Sequence, residues 1–321
     1  MLNRRLALAS LIAAGAMPQA ARAQDWPQRP VTLVHGFGAG GNADSIARVL
    51  ANSLSASLGQ QVVVEAKPGA GGNLASEVVS RANPDGYSLI LLTGGHAVSA
   101  ALYKALRFNP VDDFAFVSLA ATFPFVIATS AESPIKSLAD LVAAAKREPG
   151  KLTFSSVGYG STQHLTGELL AVTAGIKLTH VPYRGGMQPL TDLMSGRIDL
   201  MVDSITVTGA AIRAGTIRGL GITSTAPWPA LPEVPLVAGT LPGFEVRSWI
   251  GVAAPAATPP AIVAKLNDGI RRAVADAKVR EQLGALGVQP EATTPEAMKA
   301  FVASEIRRWN EVVDKAGIEK L

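Results

Sequence analysis

The chain contains no cysteine. That absence excludes disulfides, thiolate catalysis, Cys-ligated zinc, iron–sulfur clusters and a lipid-anchored cysteine. Aromatic residues make up only 5% of the 321 residues, and no basic tract accompanies them, so nucleic acid is not expected as a partner. There are four histidines, His35, His96, His164 and His180, and none forms an H-x-x-x-H or H-E-x-x-H pair. No metal site is expected from them. No G-x-S-x-G nucleophile elbow occurs, and "GYGST" at 158–162 has the wrong order for one. Beyond the N-terminus no apolar run is long enough to span a membrane. What remains, 48% hydrophobic and 17% charged residues, fits a soluble globular protein of one large or two medium domains.

The N-terminus itself is informative. Two arginines within Met1–Arg5 precede the short apolar core "LALASLIAAGAM", and Ala21-Arg22-Ala23 supplies an A-x-A site. The pattern predicts a signal peptide over 1–23, with the mature chain starting at Gln24; the alternative is a buried N-terminal helix. Removal takes away Arg4, Arg5 and Arg22, so 29 basic residues become 26 against 25 acidic ones, a net charge of +1. An exported chain without disulfides fits a periplasm, because a chain of this length stabilises itself by core burial.

The rest alternates between strand and helix patterns. "VTLVHG" leads through glycines into "ADSIARVLANSLSASLG", whose apolar residues recur at helical spacing until Gly59. "QVVVEAKPGAGGN" with "LASEVVSRA", and then "PDGYSLILLTGGH", repeat the theme. This βαβαβ order predicts a parallel sheet covered on both faces. After "FNPVDDFAFVSLAATFPFVIAT" a second cycle begins, and the tail after "VRSWIGVAAP" reads as three helices. The expected architecture is α/β with two lobes: 24–120 with 250–321, and 121–249. Two crossings, near Val117–Phe125 and Arg247–Ala253, would make a hinged clamp with its ligand cleft between the lobes. A single domain is the alternative.

Four sites share one form, a strand followed by a glycine-rich turn and a helix start: Gly36–Asp44, Gly69–Asn73, Thr93–His96 and Ser155–His164. Glycine permits tight turns and close approach of a ligand, and the first turn of a helix offers unpaired amides to carboxylate or phosphate. Each loop alone could be an ordinary connection; four together point to an anion site. Several side chains near these loops have two readings. Asp44 either complements the helix dipole or touches ligand. Asp203 either accepts from a ligand hydroxyl or amine, or caps the next helix. Arg184 either pairs with a second carboxylate or is solvated. Phe37 and Tyr159 sit at loop tips, where a ring either covers a ligand or packs locally. His35, His96 and His164 border the loops as polar residues satisfied in place or as donors to an anion.

Gly36, Gly38 and Gly41 also spell G-x-G-x-x-G, and Glu65 follows 24 residues after Gly41, as in a dinucleotide-binding fingerprint. With Arg4-Arg5 as a twin-arginine pair, this keeps an exported NAD(P)-dependent oxidoreductase as the second reading. Against it stand the export signal, three glycine loops left unexplained and no acid–base set. No cofactor is expected.

The ordered set "GAGGNADSIAR", "VVVEAKPGAGGNLAS", "ANPDGYSLILLT", "PGKLTFSSVGYGSTQHLTGELL" and "THVPYRGGMQPLTDLMSGRIDLMVDS" resembles the extracytoplasmic solute receptors of tripartite tricarboxylate transporters, the Bug-type binding proteins. The resemblance spans nearly the whole mature chain. It implies a type II periplasmic binding fold and no enzymatic activity. It also implies a monomeric receptor that takes a small carboxylate and passes it to membrane transporter subunits, or to a signalling partner in their place. It implies that the first loop (Phe37, Gly38, Ala39, Gly40, Gly41, Asn42, Asp44) and the second-lobe loop (Ser155, Ser156, Gly160, Ser161, Thr162, His164) grip one carboxylate. Thr93, Gly95, His96, Tyr183, Arg184 and Asp203 would meet the variable end of the ligand. The family's first loop is usually P-F-x-P-G-G. Here Gly36 and Ala39 replace the prolines, so a more flexible loop is expected, and Asn42 and Arg184 depart from the commoner glycine and lysine.

Overall fold

The computed structural model describes residues 26–321; the expected signal peptide and its cleavage site lie outside the described residues. Strands β1 (Val31–His35), β2 (Val62–Ala66) and β3 (Ser88–Thr93) pair in parallel, and helices α1 (Asn42–Leu58), α2 (Asn73–Ser80) and α3 (Gly95–Leu102) alternate with them. The long β4 (Phe114–Ser130) follows. Then come α4 (Leu138–Arg147), β5 (Thr153–Ser156), α5 (Thr162–Ala174), β6 (Thr179–Pro182), α6 (Gln188–Met194), β7 (Leu200–Ser204), α7 (Ile205–Arg213) and β8 (Ile217–Ile222). Strand β9 (Arg247–Pro255) returns, followed by α8 (Pro260–Ala275), α9 (Ala277–Ala285), the two-residue β10 (Gln289–Pro290) and α10 (Pro295–Ala316).

Local sequence explains these elements. In α1, Ile46, Leu50 and Leu54 recur every four residues and are fully buried, so one apolar stripe faces the sheet. Gly59 ends the helix in the left-handed conformation, φ 68°. In α10, Met298, Val302, Trp309 and Val313 form the buried stripe, and Thr294 caps the helix by accepting from the Ala297 amide. Burial of each such large side chain contributes about 2 kcal/mol. Helix α7 begins with four β-branched residues, Ile205 to Thr208, a poor helical start by propensity. Its buried face of Ile205, Val207 and Ala211 holds it in place within an apolar cluster with Ile217 and Leu231.

The strand order is β2-β1-β3-β9-β4-β7-β5-β6. Two parallel sets, β2-β1-β3 and β7-β5-β6, therefore lie at either end, joined by antiparallel β9 and β4. Residues Phe114 to Pro124 of β4 pair with β9, while Phe125 to Ala128 pair with β7. One 17-residue strand thus crosses from one α/β half to the other, and β9 is the return path. Both ribbons run through the stretches where crossings are expected from sequence. Helices α8 and α9 pack on α1, and α10 packs on α3. Among the described residues no helix is long and apolar enough to cross a membrane.

Candidate functional site

A cleft lies where the two halves meet, at the carboxyl ends of the parallel strands, the place where open α/β sheets leave a crevice. It holds about 410 Å³ of empty space, part of it open to solvent. Phe37, Gly41, Asn42, Ala43 and Thr93 line it from one half, and Val157, Gln163, Gly185, Gly186, Asp203 and Val207 from the other. Phe123, Phe125 and Ser248, on the two crossing strands, form its floor. The first turns of α1, α5 and α7 bring Asn42 and Ala43, Gln163, and Val207 to this one space. First-turn amides have no intrahelical acceptor and carry the positive end of the helix dipole. Among the described residues no Lys, Arg or His lines the cleft.

The first loop is strapped, despite its missing prolines. Asp44 is buried, and its Oδ2 accepts from the Gly40 amide at 2.9 Å and from Arg48 Nε at 3.0 Å. Its Oδ1 meets Arg48 Nη2 at 3.0 Å, completing a two-pronged ion pair. Burial opposes ionisation of Asp44, but the Arg48 hydrogen bond, the Gly40 amide and the Arg48 charge outweigh it and hold the carboxyl below its ordinary range. His35 donates from Nε2 to Asp44 Oδ1 at 3.3 Å and accepts the Phe37 amide on Nδ1 at 3.4 Å. Burial depresses its pKa against the pull of Asp44, which fits this neutral tautomer. Asp44 is thus spent on the loop. Gly36 has its own reason: a Cβ there would overlap Gly72 Cα, so position 36 admits no side chain.

The second loop is strapped by neutral groups. Ser156 Oγ accepts the Gly158 amide at 3.0 Å and lies 2.7 Å from His180 Nε2. Ser161 Oγ donates to the Gly158 carbonyl at 2.7 Å and caps α5 by accepting the His164 amide. His164 and His180 pack 4.3 Å apart, with Tyr159 edge-on to both. Burial lowers His164 to about 4; burial and then the neighbouring His164 lower His180 to about 3. Ser156, Ser161 and His164 therefore build the loop from behind. Two hydroxyls remain: Ser155 Oγ and Thr162 Oγ1 are buried without a hydrogen-bond partner, and Thr162 Oγ1 packs with Ser248 Oγ against Gly94.

The two halves touch along a seam. The Gly38 amide donates to the Arg184 carbonyl at 2.7 Å, and Gly38 and Gly185 form a parallel bridge. Ser99 Oγ donates to the Gly160 carbonyl at 3.0 Å, and Tyr103 to the Tyr159 carbonyl at 3.3 Å. Thr206 Oγ1 lies 2.7 Å from Asn42 Oδ1 and 2.8 Å from the Leu286 carbonyl. A hydroxyl carries one hydrogen, so Thr206 donates to the carbonyl and the Asn42 amide turns its NH₂ towards Thr206.

The remaining expected site residues divide. Thr93 lines the cleft, and its Oγ1 accepts the Gly95 amide at 3.2 Å. Ala39 and Gly40 form the exposed outer edge of the first loop. His96 lies behind Phe37, donating to the Pro110 carbonyl at 2.8 Å and stacked on Phe108; burial lowers it to about 4. Tyr183 turns away to donate to Asp192 at 2.8 Å, and burial with that bond raises its pKa to about 12. Arg184 contributes its carbonyl, while its side chain is exposed. Asp203 does face the cleft. Its Oδ1 accepts from the Ser204 amide at 2.7 Å and from Gln163 and Ser204 Oγ at 3.4 Å, and Oδ2 has no hydrogen-bond partner among the described residues. Burial pushes its pKa up to about 6 despite these bonds. Sequence reasoning missed Gln163, Phe123, Phe125 and Ser248. The last three lie within the expected crossings, which was the available signal. Glu65 is at the surface, 2.5 Å from Lys67, on the far strand of the sheet. Among the described residues no cluster of three or more metal-ligating side chains occurs.

Residues 46–318 match the tripartite tricarboxylate transporter family receptor. A protein of Pseudomonas sp. (strain P51), named for the tcbD–tcbE intergenic region, is 40% identical over 316 residues, 97% of this chain and 94% of that one. The structure of the periplasmic binding protein BugD superposes with a TM-score of 0.89 at 35% identity, covering 92% of this chain and all of BugD. The R. palustris protein Rpa4515 with adipate gives 0.88 at 36% identity, covering 92% and 100%. These neighbours are binding proteins with the same two-lobed α/β fold, and the chain belongs to the Bug-type receptors of the tripartite tricarboxylate transporter family.

Proposed function

We propose that this protein is a periplasmic receptor that captures a small organic carboxylate and delivers it, as a monomer, to membrane transporter subunits, without transforming it. The observation that carries the reading is the convergence of three helix N-termini on a cleft devoid of basic side chains. Backbone dipoles stabilise an anion there without a countercharge, which suits a ligand that must also be released. Rpa4515 holds adipate within the same fold, which supports a carboxylate. The lobes of the clamp are 24–120 with 250–321, and 121–249. Closure bends β4 and β9 and makes the seam between Gly38 and Arg184. The oxidoreductase reading loses its acid, since Glu65 pairs with Lys67 away from the cleft.

Thermal-shift screening of the mature protein tests this. A carboxylate at 100 times its dissociation constant stabilises the fold by about 2.7 kcal/mol, whereas NAD(P) is expected to leave the melting temperature unchanged. Stabilisation by NAD(P) and by no carboxylate defeats the proposal. Thr162→Ala removes a buried hydroxyl that has no protein partner. It is expected to weaken carboxylate binding about tenfold, the worth of one hydrogen bond, without lowering the melting temperature of the free protein. Unchanged affinity would remove the second loop from the site.

A further inference from the structure

The halves also meet outside the cleft. The chain between β8 and β9 carries Pro227, Pro229, Pro232 and Pro235 around one tryptophan, Trp228. Leu231 and Val234 of this stretch are buried in the apolar cluster of α7, with Ile205 and Ala211, and Trp228 packs against it. Proline on both sides of Trp228 leaves the backbone there few conformations to lose. The indole thus stands on a fixed base in one half. Its Nε1 donates to the Gly287 carbonyl at 2.8 Å. Gly287 follows α9, which packs on α1 of the other half.

A second bond lies beside the first. Thr206, in the first turn of α7, donates to the Leu286 carbonyl at 2.8 Å. Gly287 stands at φ 75°, and a Cβ there would overlap Ile205 Cγ2, so glycine lets the turn after α9 approach α7 closely. Carbonyls at the carboxyl end of a helix lack donors within the helix. Here two of them, of Leu286 and Gly287, receive donors from the opposite half. Thr206 also meets Asn42, so this contact reaches the wall of the cleft. Thr206, Trp228, Leu286 and Gly287 themselves lie outside the lining. Their bonds therefore favour the joined halves whatever the cleft contains.

We infer that Trp228 and Thr206 form an outer clasp that holds the two halves together independently of ligand, so that the affinity of the cleft is set in part from outside it. The inference rests on the hinged-clamp reading and deepens it. A ligand that binds the closed form more tightly then has to supply less of the free energy of closing.

Double electron–electron resonance on the mature protein, with no ligand added, tests it. The chain has no cysteine, so Asn52→Cys on α1 and Ala210→Cys on α7 place one spin label on each half. Both positions are exposed and both helices start at the cleft, so opening separates the labels. The labelled parent is expected to show mainly the shorter distance. Trp228→Phe keeps a ring and removes the N–H; Thr206→Val keeps the shape and removes the hydroxyl. Each should raise the ratio of longer to shorter distances about fivefold, the worth of one hydrogen bond. The two are read separately, so one that fails to fold leaves the other to decide. Gly71→Ala, whose Cβ would overlap the Tyr159 carbonyl oxygen of the other half, opens the inner seam and serves as the control. Distances moved by Gly71→Ala and by neither clasp variant overturn the clasp and leave the clamp intact. A labelled parent without the shorter distance overturns the clasp as well. Distances moved by none of the three overturn clasp and clamp together, and the carboxylate screen then decides the receptor reading by itself.

Discussion

The two loops that face each other across the cleft share one construction, strand to glycine turn to helix, but different forces hold them. The first is fixed by charge: a buried carboxylate gathers the Gly40 amide, a histidine and a bidentate guanidinium. The second is fixed by neutral groups: two serine hydroxyls fold it back on Gly158, with paired histidines and Tyr159 packed behind. A loop without prolines or serines has no local means of stiffening itself, and Asp44 supplies it from the helix that follows. The serine-rich loop carries its own hydrogen bonds and needs only packing. Neither set of supports lines the cleft.

The largest effect should come from the seam where the loops meet. Gly71 stands at φ 64°, and a Cβ there would overlap the Tyr159 carbonyl oxygen across the cleft. Gly71→Ala therefore penalises closure, on top of about 1–2 kcal/mol for a left-handed alanine. We expect carboxylate affinity to fall about 100-fold, equivalent to about 2.7 kcal/mol, with a drop of only a few degrees in the melting temperature. Affinity within threefold of wild type would show that the bound state does not close along this line.

Acid should separate the two loops next. His164 and His96 titrate at about 4 and His180 at about 3 in the folded protein, against about 6.5 in the unfolded chain. Depressed histidines contribute stability that is fully present above about pH 6.5 and is lost as pH falls towards 4, because only the unfolded chain takes up the proton. Each contributes a slope of at most about 1.4 kcal/mol per pH unit over that window. His35, in the first loop, is lowered by burial in the same sense; Asp203, raised to about 6, works in the opposite sense between about 4 and 6 and offsets one of the four. Asp44, lowered by Arg48 and Gly40, keeps its contribution until the pH falls below the ordinary carboxylate range. The melting temperature should thus fall between pH 7 and 5, and His180→Asn should shrink that fall. An unchanged pH profile in the variant would mean that the second loop's histidines are not buried as a pair.

Much of this organisation was legible in the sequence, for identifiable reasons. Helical spacing in 46–54 with Gly59 behind it, and the repeated glycine turns, gave the βα units and the edge where the loops gather. The two crossings followed from the order of the units. The faces of the crossing strand could not be read. Nearly every residue of β4 is buried, so no polar alternation marks the side that carries Phe123 and Phe125. The use of Asp44 stayed open between helix dipole and ligand contact, because its bond to Gly40 depends on how the loop folds back. Helix α7 was obscured by its four β-branched residues, whose propensity tertiary packing overrides.

A smaller effect is expected where the first loop's strap is weakened and not broken. Asp44→Asn keeps an oxygen for the Gly40 amide and loses the charge that Arg48 and His35 share. It should cost about 1 kcal/mol, the net worth of one hydrogen bond, read as a fall of about 2–4 °C in the melting temperature. The equivalent change in the second loop, Ser156→Ala, leaves His180 Nε2 and the Gly158 amide without their common partner and should cost at least as much. A neutral outcome for Asp44→Asn would mean that Gly40 alone sets the loop and the ion pair is incidental.

The smallest effect is the most pointed, because it separates backbone from side chain at the seam. Arg184 gives its carbonyl to the Gly38 amide at 2.7 Å, and its guanidinium is exposed with no hydrogen bond or ion pair among the described residues. Arg184→Ala retains the carbonyl, the neighbouring Gly185 and the bridge to Gly38. Carboxylate affinity should then change by less than about twofold, the scale of an exposed charge, and salt should not alter the comparison. A loss of tenfold or more would mean that the guanidinium swings inward on closure and pairs with a second carboxylate. The cleft would then gain the cation that its lining lacks.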